Sequence, residues 1–152
     1  VIPGCHGNLL QVDLSTTRCA GRRLDEATVR KYIGGTGLGA RILFGEIERR
    51  TDPLSPEAVL LFLAGPFAGT RVPCGDRASV ICKSPLTGIW AESDVGGRFT
   101  GHLRSCGFDG LVIQGRSDSP VYLHLSDGSA EIRKADFLWG QDTFRTHEML
   151  ER

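Results

Sequence analysis

The chain has 152 residues, 40% of them hydrophobic and 24% charged, with 18 basic side chains balanced by 18 acidic ones. That length supports one domain with one core, and that composition excludes a disordered chain. The charge balance excludes the basic footprint by which a domain grips nucleic acid. No apolar run approaches the roughly 18 residues of a membrane span; the longest, Ala58 to Ala64, is strand length.

Residues 8–14 read as a first strand, Ser15-Thr16-Thr17 as a turn, and Arg18 to Leu24 as the returning arm of a hairpin. Asp25 stands before Ala27, Val29, Tyr32 and Ile33, whose spacing predicts a short helix capped by that carboxylate. Gly34 to Ala40 interrupts, and Leu38, Ile42, Leu43 and Ile47 predict a second helix running to about Glu48. Gly35-x-Gly37-x-x-Ala40 formally matches a dinucleotide fingerprint. The motif needs a strand before it, however, and a helix is predicted there, so it reads as a packed helix–helix corner.

From Leu63 to Ile113 apolar runs alternate with glycine-rich corners, each carrying a polar or basic residue beside bare backbone. Such corners present N–H groups and cations to an anionic ligand. Ala58–Ala64, Ala78–Lys83 and Leu111–Ile113 read as buried strands, and Ile89–Ser93 as extended. Phe99, Leu103 and Cys106 predict a helix with a Gly96-Gly97 entrance, stopped by Gly107. Its first turn would leave N–H groups free for a ligand. Asp127-Gly128 between alternating runs marks a second hairpin. A helical turn at Asp136–Trp139 and a last helix capped by Asp142 or Thr143 complete an α+β fold, with mostly antiparallel β-sheets and a few short helices.

Five cysteines form no C-x-x-C pair, which predicts free thiols in a reducing cytoplasm. The four histidines are scattered, and neither they nor Lys83, Trp90 and Trp139 form a constellation. No nucleophile–base set stands out.

The ordered set Gly34-Gly-x-Gly-Leu-Gly-Ala40, Asp52-Pro-Leu-Ser-Pro-Glu57, Ala64-Gly-Pro66, Gly75-x-Arg77, Lys83-Ser-Pro-Leu-Thr-Gly88, Gly96-Gly97, Gly107-Phe-Asp109 and Trp139-Gly140 resembles the N-terminal domain of the tungsten-containing aldehyde ferredoxin oxidoreductases. The resemblance covers about residues 7–152. It implies a single pterin-cofactor-binding domain over 1–152, cut at its C-terminal end. In that family such a domain is the β-sheet base beneath a bis-pterin tungsten (or molybdenum) cofactor whose two phosphates are bridged by magnesium. Further helical domains supply the cysteines of a 4Fe-4S cluster, and electrons from aldehyde oxidation leave through that cluster to ferredoxin. The chain alone is then not expected to turn over.

Residue by residue, Arg77 matches the family arginine between pterin and cluster. Asp94 stands where asparagine is common, and its backbone carbonyl is the expected magnesium ligand. Val95, Gly96 and Gly97 continue the phosphate-side loop. The sequence departs from the pattern at Thr36, where arginine is frequent, and at Cys74 before the Gly75-Asp76-Arg77 turn. The alternative reading is a non-catalytic module of the same fold that acts in assembly or forms a homodimer through exposed sheet edges.

Overall fold

A computed structural model describes residues 3–151. Its centre is a six-stranded sheet built from β1 (Asn8–Asp13), β2 (Arg18–Arg23), β3 (Leu60–Ala64), β4 (Ala78–Lys83), β5 (Trp90–Val95) and β6 (Gly110–Gln114). The strand order is β2-β1-β6-β3-β4-β5. Every pairing is antiparallel except β1 with β6, which run parallel with Leu10 opposite Leu111. A separate hairpin, β7 (Val121–Ser126) and β8 (Ser129–Lys134), turns through Asp127-Gly128, both left-handed.

Alternation along the strands divides the core between the two faces. Leu9, Leu61, Leu63, Ile81 and Val112 point to one face, against Leu38, Ile42 and Leu43 of α2 (Gly35–Glu46). Leu10, Val12 and Leu111 point to the other, where Leu103 of α3 (Phe99–Ser105), Phe108 and the inner residues of the hairpin cover them. Each fully buried leucine or isoleucine contributes about 1.5–3 kcal/mol by leaving water. The sheet is therefore sandwiched, with β5 as one open edge.

The mostly antiparallel α+β architecture agrees with the sequence reading. α1 (Glu26–Tyr32) is capped by Asp25, whose carboxylate accepts from the Thr28 N–H at 2.8 Å. Asp142 caps α4 (Thr143–Leu150) in the same way through the Arg145 N–H. Between β8 and α4, Asp136–Leu138 forms a single 3-10 turn.

The glycine run at 34–40 behaves differently from the expected interruption. α2 starts at Gly35, so Gly37 and Gly39 lie inside it. A Cβ on Gly39 would stand 2.2 Å from Ile81 Cδ1 and 3.1 Å from Leu63 Cδ1. Glycine thus lets the helix lie close on β3 and β4, and this packing outweighs its poor helix propensity of about 1 kcal/mol per residue. The helix also stops two residues short of Glu48, and the strand expected from Ala58 begins at Leu60. No helix among the described residues is long and apolar enough to cross a membrane.

Candidate functional site

Two turns at the open end of the sheet build a shallow concavity of about 340 Å³, lined by Val72, Cys74, Gly75, Asp76, Arg77, Gly96 and Gly97. The first turn follows the Gly65–Pro73 loop. Its bend at Cys74 is left-handed at φ 58°, and the Gly75 N–H closes it on the Val72 carbonyl at 3.0 Å. Arg77 then leads into β4. The second turn leaves β5 at Val95, opposite Ala78, and passes through Gly96 and Gly97 to α3. Gly97 has φ +82° with open space where a Cβ would stand. Phe99, the first residue of α3, packs its ring 5.8 Å from that of Phe62 on β3 and so fixes where this loop ends.

The chemistry on offer is cationic and backbone. Arg77 is exposed, and its guanidinium makes no ion pair or hydrogen bond among the described residues. A Cβ on Gly96 would lie 3.4 Å from Arg77 Nη1, so bare backbone and guanidinium stand side by side. The N–H groups of Gly96 and Gly97 also lack partners among the described residues. The neighbouring Asp76 does not cancel this charge directly. Its Oδ1 accepts from the Gly69 N–H at 2.6 Å, and its Oδ2 packs beside Gly101 of α3. With only seven residues, α3 adds little beyond the free N–H groups of its first turn.

The structure brings Arg77, Gly96 and Gly97 together in this concavity. Asp94 and Val95 sit just before it on the edge strand and do not line it. The Asp94 side chain lies on the α2 face of the sheet, where Ser79 Oγ donates to it at 3.5 Å. There it joins a polar group with Thr36 and Glu92. Thr36 Oγ1 lies 3.2 Å from Ser79 Oγ and donates to a carboxylate oxygen of Glu92. The hydrogen bond from Thr36 above all, with a weaker one from Trp90 Nε1 at 3.3 Å, outweighs desolvation and holds the Glu92 carboxyl below its ordinary value. Among the described residues no three His, Cys, Asp or Glu side chains converge as metal ligands.

A second polar centre, unread in the sequence beyond its place in a motif, lies directly behind this region. Asp109 is 3% exposed, and both its oxygens are saturated. Oδ1 accepts from the His6 N–H at 2.9 Å and pairs with Arg104 Nη1 at 2.8 Å. Oδ2 accepts from the Asn8 N–H and the Cys5 thiol, each at 3.0 Å. Burial opposes the charged carboxylate, but the thiol, the two N–H groups and the guanidinium together hold its carboxyl below the ordinary value. The same burial, with the neighbouring carboxylate, pushes the Cys5 thiol up to about 11.

The profile described as "Aldehyde ferredoxin oxidoreductase, N-terminal domain" matches residues 9–152. The chain belongs to that family. It is 38% identical over 148 residues to the tungsten-containing aldehyde ferredoxin oxidoreductase of Pyrococcus horikoshii, covering 97% of this chain and 24% of the relative. It is 37% identical over 149 residues to the enzyme of that name from Pyrococcus furiosus, covering 98% of this chain and 25% of the relative. A WOR-like subunit of an aliphatic sulfonate oxidoreductase from Pyrococcus furiosus is 35% identical, over 95% of this chain and 23% of its own length. Among solved structures, a chain of the active site complex BamBC of benzoyl coenzyme A reductase superposes with a TM-score of 0.94 at 32% identity, over 97% of this chain and 23% of its own. The chain therefore spans about a quarter of the length of the relatives it matches. Its relatives are oxidoreductases, several of them tungsten-containing by name.

Proposed function

We propose that this chain is the pterin-binding base of a tungsten- or molybdenum-dependent aldehyde ferredoxin oxidoreductase. The observation that carries the reading is the Arg77 guanidinium, unpaired among the described residues, set 3.4 Å from where a Gly96 Cβ would stand, beside backbone N–H groups that likewise lack partners there. A phosphate-bearing pterin asks for a fixed cation with close, donor-rich backbone. The residues present fit that group. Arg77 would hold the phosphate-bearing end of the cofactor, the Gly96 and Gly97 N–H groups would donate to it, and Val95 would set the course of the loop. Asp94 lies on the edge strand, where its backbone carbonyl would serve as a magnesium ligand, while its carboxylate is turned to the α2 face beside Ser79.

When bound, the cofactor supplies two-electron redox chemistry, here the oxidation of an aldehyde to a carboxylate. This chain's residues bind and orient it. The 4Fe-4S cluster, the route to ferredoxin and the substrate pocket belong, in this reading, to parts of the enzyme outside this chain, in a cytoplasmic protein. The rival reading, an assembly module that self-associates, has the open β5 edge in its favour.

The test is metal and pterin analysis of protein produced anaerobically with tungstate, for the wild type and Arg77→Ala. Tungsten with two pterins per protein, lost in Arg77→Ala at unchanged thermal stability, supports the reading. Wild-type cofactor content in the variant refutes the role of Arg77. No pterin in any wild-type preparation, together with a homodimer, favours the assembly module.

A further inference from the structure

The Arg104–Asp109 pair touches neither Arg77 nor its concavity, yet it is joined to that residue by a continuous hydrogen-bonded path. Arg104 pairs through Nη1 with Asp109 at 2.8 Å, and its Nη2 donates to the Gly65 carbonyl at 3.1 Å. The Gly65 N–H donates to the Arg77 carbonyl at 2.9 Å. The neighbouring Ala64 N–H donates to the Asp109 carbonyl, also at 2.9 Å. The end of β3 is thus held by Asp109 backbone on one side and the Arg104 guanidinium on the other. Gly65, so held, fixes the backbone of Arg77. The side chains of Arg104 and Asp109 are 10% and 4% exposed, so water does not compete for these contacts. Arg104 Nη1 also donates to the Gly4 carbonyl at 2.7 Å, which leaves the guanidinium little freedom to turn.

We propose that Arg104, anchored by Asp109, is a positioning residue for Arg77, acting through Gly65 to fix the backbone from which that guanidinium is presented to the cofactor. The proposal rests on the reading of Arg77 given above. It adds that the geometry of the cation is set from α3 and from the residue that precedes β6, rather than by its own turn alone. Planarity is the physical requirement: one guanidinium spreads its donors over Asp109, Gly4 and Gly65 at once, and the single nitrogen of a lysine ammonium, with its shorter reach, does not.

Arg104→Lys tests this, since it keeps the charge beside Asp109. Amide hydrogen exchange of the 15N-labelled protein is followed at Gly65, with Val12 and Leu61 as core references. Loss of a charge-assisted hydrogen bond predicts roughly tenfold faster exchange at Gly65 with the references unchanged. Pterin content is read in parallel and is expected to fall about threefold or more, as befits a displaced ligand rather than a missing one. A merely structural role would speed exchange at all three amides together.

Arg77→Ala serves as the control, with wild-type exchange at Gly65 and little or no pterin. Unchanged Gly65 exchange in Arg104→Lys overturns the positioning proposal whatever the pterin content. Full pterin in Arg77→Ala instead overturns the reading of Arg77, while the exchange result still decides whether Gly65 is held from Arg104. If Arg104→Lys does not fold, Gly65→Val replaces it. That variant leaves the ion pair intact and crowds the Arg77 carbonyl, which lies 3.4 Å from a Gly65 Cβ. It is expected to lose pterin, and retention at the wild-type level overturns the proposal.

Discussion

Replacing Asp109 by asparagine keeps the shape of the side chain and removes its charge. The carboxylate accepts from four donors: the His6 and Asn8 N–H groups, the Cys5 thiol and Arg104. An amide offers one oxygen and one NH2. Whichever way it turns, two of those donors face another donor, and the Arg104 guanidinium loses its counter-ion. Breaking a buried pair from one side costs about 3–5 kcal/mol, against a total stability of about 5–15 kcal/mol for a domain. For a chain of this length each kilocalorie lowers the melting temperature by roughly 2–4 °C, so Asp109→Asn should melt about 6–20 °C below wild type at pH 7.

The acid limb gives the sign. The folded carboxyl titrates below its unfolded value, so its contribution is complete above the unfolded value near 3.8 and disappears as pH falls through the folded one. The gap between wild type and variant should therefore be largest above about pH 5 and close as pH falls below 3. Circular dichroism melts across that range provide the assay. A melting temperature within 2 °C of wild type at pH 7, or a gap that widens in acid, would refute the reasoning. Adding Arg104→Met should recover part of the loss, because the unpaired buried charge is then gone.

Two further changes probe the packing. Gly39→Ala should destabilise by about 1–3 kcal/mol from the clash with Ile81, offset by roughly 1 kcal/mol of helix propensity. Adding Ile81→Val removes the Cδ1 atom that a Gly39 Cβ would meet at 2.2 Å, so urea titration should find the double variant more stable than Gly39→Ala alone. Thr100 is 0% exposed, and its hydroxyl has no partner among the described residues. Thr100→Val should thus raise stability by about 1 kcal/mol, read as a melting temperature higher by roughly 2–4 °C, and a fall would show that the hydroxyl is satisfied in solution.

Local chemistry explains what the sequence made legible. Asp25 and Asp142 announce their helices because a cap needs only the next three residues, and Asp127-Gly128 announces its hairpin because the turn needs only itself. Strands β3 and β4 were equally readable, since each is a short, largely apolar run bounded by turn residues. The helix over Gly35–Glu46 was misplaced at its start because the use of Gly39 depends on Ile81 and Leu63, both at least 24 positions away. The same limit hid the role of Asp109. Its partners Cys5, His6 and Asn8 lie more than 100 positions earlier, and nothing local marks them as neighbours. Of the candidate site, the glycine-rich corners pointed only to an anionic ligand in general, and Arg77, Gly96 and Gly97 were singled out through the family resemblance. That Asp94 turns its carboxylate to Ser79, away from the concavity, depends on strand register and was out of reach.

The parallel pairing of β1 with β6 has a consequence for the order of assembly. β1 is made first, but the strand that fills its inner side is completed only at Gln114, about 100 positions later. At roughly 5–20 residues per second on the ribosome, the β1–β2 hairpin waits several seconds with one edge open and Leu10 and Val12 uncovered. The Arg77 and Gly96–Gly97 turns both emerge during that wait, before the strand that closes the sheet. The direct pairing of β4 with β5, Ala78 opposite Val95, sets the relation of those two turns to each other, and β6 joins that half of the sheet to the β1–β2 hairpin only afterwards.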